Sequence, residues 1–494
     1  MKSIELINIK LVSEHKKKKI LLINPKRKGV EFSIPHNGLA ILAAILKKRG
    51  HEVLVVDYTL IHETKDISFF LHNFRPDIIG LSSYSANQQE AGEIISRIHK
   101  IAPEKILFMG GPYATLYPKK LQEDKRIDYI FVGEAELTII PLVEKSKKMK
   151  SPKIIQSEEM ADLNHIPFPD FKSFYKWETI RNYPLITSRG CPFKCSFCSI
   201  HFFSNRRWRP RTPENCIEEL ENAKKSLSPN IRVVVCDDCP TADINRFIKF
   251  LKIYKDKIKL NLSIVNTRAD CVNDELLSLL KECGCEDFWL GVEHAHPEVY
   301  KLVNKGESLE QIEKAAKMVK AHGMNLGLSF IIGLPGDNLQ RTKASIAFAK
   351  RNKADFCNWS IVVPYEHTEV REWFDKNGVV NDLINYDSRI NIDFSIETPR
   401  AESKDFSIQD RLKAQYMCVF ETVSYPCTMR NFMPALKASL KYNLLPDFIY
   451  WLPRGLIKNL KLNKERILKI ISFYKREGLM SSIQRVFYVL SRKK

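Results

Sequence analysis

Residues 188–198 read Ser188-Arg189-Gly190-Cys191-Pro192-Phe193-Lys194-Cys195-Ser196-Phe197-Cys198. Three cysteines thus fall within eight residues at a C-x3-C-x2-C spacing. Three thiolates hold three irons of a 4Fe–4S cube and leave the fourth iron open to an outside ligand. A closed structural zinc site needs a fourth ligand. None stands nearby at matching spacing, although His201 could complete a zinc knuckle. Three reduced cysteines used only for packing are the remaining reading.

Such a loop must be carried by regular elements. Over residues 1–150 the apolar strand candidates are Ile20–Ile23, Glu52–Val56, Ile78–Leu81, Ile106–Met109 and Tyr129–Val132. Helix-length segments lie between them, Gly38–Lys48 and Gln88–Ile101 being the clearest. Strands that are apolar throughout and alternate with helices predict a doubly wound parallel α/β sheet, Rossmann-like or flavodoxin-like, covered on both faces. Ligands of such sheets sit beyond the carboxyl ends of the strands. The loops there are Asn24-Pro25, Ser82-Ser83, Gly110-Gly111-Pro112-Tyr113-Ala114-Thr115 and Gly133-Glu134-Ala135-Glu136. Paired glycines permit close backbone approach to a bulky ligand.

A Pro-rich linker, Asp162 to Asp170, follows. Six apolar strand candidates then start near 185, 231, 260, 286, 325 and 356, at spacings that fit βα units. Six units predict an open (β/α)6 partial TIM barrel whose functional residues lie at the carboxyl ends of its strands. The first strand delivers the cysteine loop. The second ends Val235-Cys236-Asp237-Asp238-Cys239, where the carboxylates suit either a ligand amine or a turn and helix cap. The third ends Asn266-Thr267-Arg268, a guanidinium able to grip a carboxylate bidentately. Cys236/Cys239 and Cys283/Cys285 leave room for an auxiliary cluster.

The cysteine spacing with its embedded aromatic, Cys195-Ser196-Phe197-Cys198, resembles the radical S-adenosylmethionine (SAM) superfamily, in which the open iron binds the amine and carboxylate of SAM. The resemblance puts Phe197, Asp237, Asp238, Arg268 and Glu293 against SAM. Gly333-Leu334-Pro335-Gly336 is similar to the family's Gly-Leu-Pro-Gly at the adenine. Gly291-Val292-Glu293 with Asn304-Lys305-Gly306 is similar to the family's Gly-Ile-Glu-Ser-Gly-Ser…Asn-Lys-Gly, but His294-Ala295-His296 replaces the small residues. Either histidine is open as a proton donor, a substrate contact or a plain surface residue. Tyr365-Glu366-His367 stands within the family's Pro-Tyr-Pro-Gly-Thr segment, so these residues join His294 as substrate-pocket candidates.

The N-terminal loops resemble the cobalamin-binding domain that precedes this core in one subfamily, the class B radical SAM methyltransferases. The matching pieces are Pro35, Gly38 and Leu39, Asp57, the Gly110-Gly111-Pro112 turn with Thr115, and Asp128 through Gly133-Glu134-x-Glu136. By that resemblance cobalamin is met by Asn24, Pro25, Ser82, Ser83, Gly110, Gly111, Pro112, Tyr113, Thr115, Gly133, Glu134 and Glu136. No Asp-x-His-x-x-Gly occurs, and His36 and His51 stand in other contexts, so that motif supplies no histidine to cobalt. The implied division is residues 1–150 for cobalamin, 151–180 as linker, 181–400 as radical SAM core and 401–494 as a helical, basic C-terminal region.

The resemblance implies an enzyme whose 4Fe–4S cluster splits SAM to a 5′-deoxyadenosyl radical, with cobalamin carrying a methyl group to an unactivated carbon. It also implies a low-potential electron donor, a flavodoxin or ferredoxin. The alternatives are cyclisation or rearrangement without methyl transfer, and a non-catalytic cobalamin- or nucleic-acid-binding protein. The intact cysteine triad opposes the last.

Bulk properties narrow the setting. A chain of 494 residues with 44% hydrophobic content supports several globular domains. Twelve cysteines without a signal-peptide pattern read as reduced thiols of a cytoplasmic protein, and no apolar run reaches membrane-span length. The net charge of +20 is concentrated: residues 437–494 carry fourteen Lys or Arg against three acids. Those cations interleave with Phe448, Tyr450, Trp451, Phe473, Phe487 and Tyr488. That pattern suits an anionic membrane surface or a lipid-like substrate better than nucleic acid. A solvated cationic face over a helical cap is the bland reading.

Overall fold

The computed structural model describes residues 16–26, 34–60, 65–227, 231–381, 399–422 and 429–451. Asn463–Lys475, whose residue pattern reads as helical in the sequence, lies outside these residues together with most of the basic tail.

The first unit is a parallel sheet of β1 (Lys19–Asn24), β2 (Glu52–Asp57), β3 (Ile78–Ser82), β4 (Ile106–Gly110), β5 (Tyr129–Val132) and β6 (Lys153–Gln156), in the order β2-β1-β3-β4-β5-β6. Five of these strands fall where the apolar runs predict them. The sixth lies in the stretch read as linker, so the sheet continues beyond residue 150. It pairs with β5 from Tyr129↔Lys153 to Val132↔Gln156 at the sheet edge, with both terminal side chains exposed. A half-covered edge strand lacks the continuous apolar signal of its buried neighbours. Because β1 lies between β2 and β3, the connections reverse direction there, and the crevice opens over the ends of β1 and β3. Asn24, Ser82 and Ser83 stand at that point.

The second unit contains β7 (Asn182–Leu185), β10 (Arg232–Val235) and β11 (Leu262–Ile264) in one parallel sheet. A second sheet holds β12 (Asp287–Glu293), β13 (Asn325–Ile332) and β14 (Phe356–Ile361). A parallel bridge, Thr267↔Leu290, joins the two halves, and Thr267 Oγ1 donates to the Trp289 carbonyl. The result is the open six-stranded barrel. Strand β7 ends at Leu185, near the residue where the sequence placed its start, and Thr187 lies beyond it. Between β7 and β10 stands a short antiparallel pair, β8 (Ser188–Arg189) with β9 (Arg209–Pro210), which closes the base of the cysteine loop.

On the outer face of the barrel Phe330 stacks on Trp359 with ring centroids 4.2 Å apart, and Trp359 Nε1 donates to Thr422 Oγ1 at 2.7 Å. Outside it, the helix Ile408–Thr422 covers β14 and the helix Leu339–Arg351. The two units share one hydrophobic core that includes Leu22 and Leu39 of the first and Leu185 and Phe247 of the second. Asn37 Nδ2 adds a hydrogen bond to the Pro184 carbonyl at 2.9 Å. No helix among the described residues is long and apolar enough to cross a membrane.

Thr267→Val keeps the side-chain shape but removes the hydroxyl that ties the two half-barrels. It is expected to lower unfolding stability by about 1–2 kcal/mol, measured by denaturant titration; an unchanged midpoint would show that the halves are held without it.

Candidate functional site

The cysteine loop starts at a junction built by carboxylates. Asp237 accepts from the Thr187 amide at 2.6 Å, the Thr187 hydroxyl at 2.6 Å and the Ser188 hydroxyl at 2.5 Å. Asp238 accepts from the Gly190 amide at 2.8 Å. Gly190 itself has φ +84, and a Cβ there would sit 2.0 Å from the Arg207 carbonyl oxygen. Only glycine fits this left-handed turn against returning chain. The two acids expected at the SAM amine therefore bind the loop that presents the cysteines. Asp237, 1% exposed, is fully engaged there, and burial pushes its carboxyl up to about 6 despite the Ser188 and Thr187 donors.

The three cysteine thiols differ. Cys191 is lowered to about 7, chiefly because the Cys239 thiol donates to it. Burial pushes Cys195 up to about 11 and Cys198 up to about 12. His201 does not complete a zinc knuckle: its Nε2 lies 3.0 Å from the His367 carbonyl oxygen. No group of three or more His, Cys, Asp or Glu side chains converges on a single-ion site among the described residues. The thiols of Cys236 and Cys285 donate to the Val234 and Asp287 carbonyls, each at 3.3 Å.

Arg268 is placed beside the loop, its guanidinium 3.5 Å from the centre of the Phe193 ring. Its bidentate partner is Asp270, through Nε to Oδ1 at 3.0 Å and Nη2 to Oδ2 at 2.7 Å. The pairing that the sequence suggested for a ligand carboxylate is thus made two residues along the chain. Glu293 ends β12 at a bulge, with φ +65, and its carboxylate lies 3.3 Å from Lys305 Nζ. Lys305 also reaches Glu307 at 3.1 Å and donates to the Gly291 carbonyl.

Phe197 packs into an apolar cluster with Leu334, Val299 and Val303, so the aromatic of the cysteine motif meets the Gly333-Leu334-Pro335 loop. That loop is pinned from both sides. The Gly333 amide donates to Asp337 at 2.7 Å, and the Gly333 carbonyl accepts from Arg411 Nη1 at 2.8 Å. A Cβ on Gly333 would strike that guanidinium at 1.9 Å. His294, 1% exposed, is not a surface residue. Its Nδ1 accepts from the His296 amide at 3.1 Å, which leaves the proton on Nε2 to donate to Asp337 at 3.1 Å. His294 therefore supports the Gly333 loop through Asp337, a role that a histidine in place of a small residue did not announce.

At the first sheet the expected cobalamin loops converge. Gly111 has φ +89, and a Cβ there would meet Ser82 Oγ at 2.6 Å and the Ser83 carbonyl oxygen at 2.8 Å. Pro112 opens the short helix Pro112–Leu116, and the Tyr113 amide donates to the Ser83 carbonyl at 2.9 Å. Thr115 Oγ1 accepts from the Gly133 amide at 3.1 Å. The Pro25 carbonyl accepts from Asn87 Nδ2 at 3.2 Å. Asn24 Nδ2 donates to Asp57 at 2.8 Å, whereas Asn24 Oδ1 and Ser83 Oγ are buried without a partner among the described residues. A cradle of close glycine approach with unsatisfied polar atoms fits a large polar ligand such as cobalamin. His36, set aside by motif logic, belongs here too. Its Nδ1 accepts from the Leu39 amide, so Nε2 carries the proton to Ser82 Oγ at 2.8 Å. Burial lowers its basicity, against the pull of Asp57.

Glu134 and Glu136 face the other way. Glu134 pairs with Arg209 and, at 3.2 Å, with Arg189; Glu136 pairs with Arg189 at 2.7 Å. Burial alone would raise the Glu134 carboxyl, but Arg209 and Arg189 together hold it below the usual range. Finally, Tyr113, Leu116 and Tyr117 of the first unit pack with Phe202, Phe203, Val363 and Tyr365 of the second. His367 stacks on Phe202 at 4.2 Å, and Glu366 is half-buried alongside.

Comparison with known proteins agrees with this geometry. The family model of the radical SAM superfamily matches residues 185–349, and that of the B12 binding domain matches residues 28–143. A methyltransferase of Pyrococcus horikoshii, itself uncharacterized, is 28% identical over 393 residues, covering 74% of this chain and 84% of its own length. The anaerobic magnesium-protoporphyrin IX monomethyl ester cyclase of Rubrivivax gelatinosus is 26% identical, covering 88% of this chain and 86% of its own. The solved radical SAM methyltransferase TsrM of Kitasatospora setae shares the fold, with a TM-score of 0.63 at 15% identity over 90% of this chain and 99% of that one. The fold and the cysteine loop define a radical SAM enzyme. The chain carries a radical SAM domain preceded by a B12 binding domain, and its cofactors are a 4Fe–4S cluster, SAM and cobalamin.

In iron-free protein, the lowered thiol predicts that iodoacetamide labels Cys191 before Cys195 or Cys198 between pH 7 and 8, read by peptide mass spectrometry. Equal labelling, or Cys198 first, would contradict the Cys239 hydrogen bond.

Proposed function

We propose that this enzyme methylates an unactivated carbon of an apolar, lipid-like small molecule held between its two units. The observation that carries the reading is the apolar cluster of Tyr113, Leu116 and Tyr117 against Phe202, Phe203, Val363 and Tyr365. It stands where the loops read as cobalamin-binding meet the short helix Ile200–Ser204 that follows the cysteines. When bound, the cluster and SAM supply hydrogen abstraction and cobalamin supplies the methyl carrier. The chain's residues would then do the positioning: Cys191, Cys195 and Cys198 hold the cluster, Phe197 and Gly333-Leu334-Pro335 seat the adenosyl part, and the aromatic cluster excludes water. Tyr365, Glu366 and His367 border that cluster and are the polar groups available to orient a substrate. The electron donor is a flavodoxin or ferredoxin, and the compartment is the reducing cytoplasm, in keeping with cysteines that are all free among the described residues. Cyclisation without methyl transfer is the second reading, favoured by the cyclase relative that matches most of the chain.

The reading predicts that anaerobically reconstituted protein with reductant forms both 5′-deoxyadenosine and S-adenosylhomocysteine, measured by mass spectrometry, and that Cys195→Ala forms neither and loses its visible iron–sulfur absorbance. 5′-Deoxyadenosine without S-adenosylhomocysteine, on turnover of a substrate, would favour cyclisation. An unchanged spectrum in Cys195→Ala would refute the cluster assignment.

A further inference from the structure

The excursion 190–208 contains all three cysteines and is closed at its base by Arg189↔Arg209 and Ser188↔Pro210. Both arginines of that closure leave the barrel and enter the first unit. Glu134 bridges the two, Glu136 takes Arg189, and the Met160 carbonyl accepts from Arg209 Nη1 at 2.6 Å. Glu159 adds pairs to Arg207 and, at 3.9 Å, to Arg209. Arg209 and Glu136 each have side chains 8% exposed. Ion pairs this deep in the fold are lost at high cost when one partner is removed.

We infer that Glu134 and Glu136 are positioning residues for the cluster-bearing loop, not contacts of cobalamin, and that they couple the two cofactor sites. The route is short. Gly133, next to Glu134, donates to Thr115 Oγ1, and Thr115 belongs to the helix that begins at the Gly110-Gly111 cradle. A ligand that orders the cradle orders residues 133–136, and with them the base of the cysteine loop. Linkage then requires the reverse effect as well: SAM on the cluster tightens cobalamin by the same factor. The inference rests on the assignment of cobalamin to this cradle.

The test uses full-length protein carrying its reconstituted cluster, with SAM affinity measured with and without saturating hydroxocobalamin. Wild-type protein is expected to bind SAM at least roughly fivefold more tightly with hydroxocobalamin present. The Glu134→Gln/Glu136→Gln variant is expected to bind hydroxocobalamin as wild type does, to lose the coupling, and to show faster amide exchange over residues 190–208. Arg209→Lys, which keeps the charge but not the two-pronged grip, is expected to reduce the coupling and serves if the double variant does not fold. A double variant that loses hydroxocobalamin affinity, or either variant with undiminished coupling, would overturn the clamp. Wild-type protein that binds both ligands independently would overturn it too. Wild-type protein that binds neither would instead overturn the cofactor assignment.

Discussion

The closure of the cysteine loop is the constraint on which the rest of this molecule depends. A stretch of chain that carries three metal-ligating thiols has little regular structure of its own, so its geometry is imposed at its two ends. Asp237 and Asp238 seize the outgoing strand at Thr187, Ser188 and Gly190, while Arg189 and Arg209 pair across the neck and anchor it to Glu134 and Glu136. Desolvated charges of this kind hold a conformation because the alternatives leave an ion without a partner. Gly190 is obligatory in the same place, because the returning chain at Arg207 occupies the space of a side chain.

The two parallel sheets supply the second constraint. Each presents its loops at the carboxyl ends of its strands. The shared core and the Asn37–Pro184 hydrogen bond fix the units against each other, so that the cradle at Gly110-Gly111 and the cysteine loop face a common apolar region. Within the barrel, buried polar chains do similar work farther from the cysteines. His294, Asp337 and Arg411 grip the backbone of Gly333 from both its amide and its carbonyl. Arg411 lies on the helix Ile408–Thr422, which ties that element to the Gly333 loop of the core and gives part of the C-terminal region a structural role.

Much of this was legible in the chain. Buried parallel strands are apolar throughout, so β1 to β5 and the six barrel strands stand out, and glycine-rich loops at their ends mark the ligand side. Strand β6 was not legible because an edge strand with Lys153 and Gln156 exposed loses that signal. The acids were located but their partners were not. Nothing in a linear sequence tells whether Asp237 or Glu134 faces a ligand or a neighbouring loop, since Thr187 and Arg209 lie 50 and 75 residues away. Arg268 was readable as a carboxylate grip, although Asp270, two residues on, was already present to receive it. His36, set aside as a cobalt ligand, and His294, read as a substrate-pocket candidate, were located without their partners, because Ser82 and Asp337 lie 46 and 43 residues away.

The most direct measurement is electron paramagnetic resonance of the anaerobically reconstituted, reduced protein before and after SAM is added. A three-cysteine cluster with an open iron predicts a 4Fe–4S signal whose g-values shift when SAM binds that iron. A protein that takes up iron and sulfide but shows an identical spectrum with and without SAM, or that binds zinc in place of the cluster, would contradict the account at its centre.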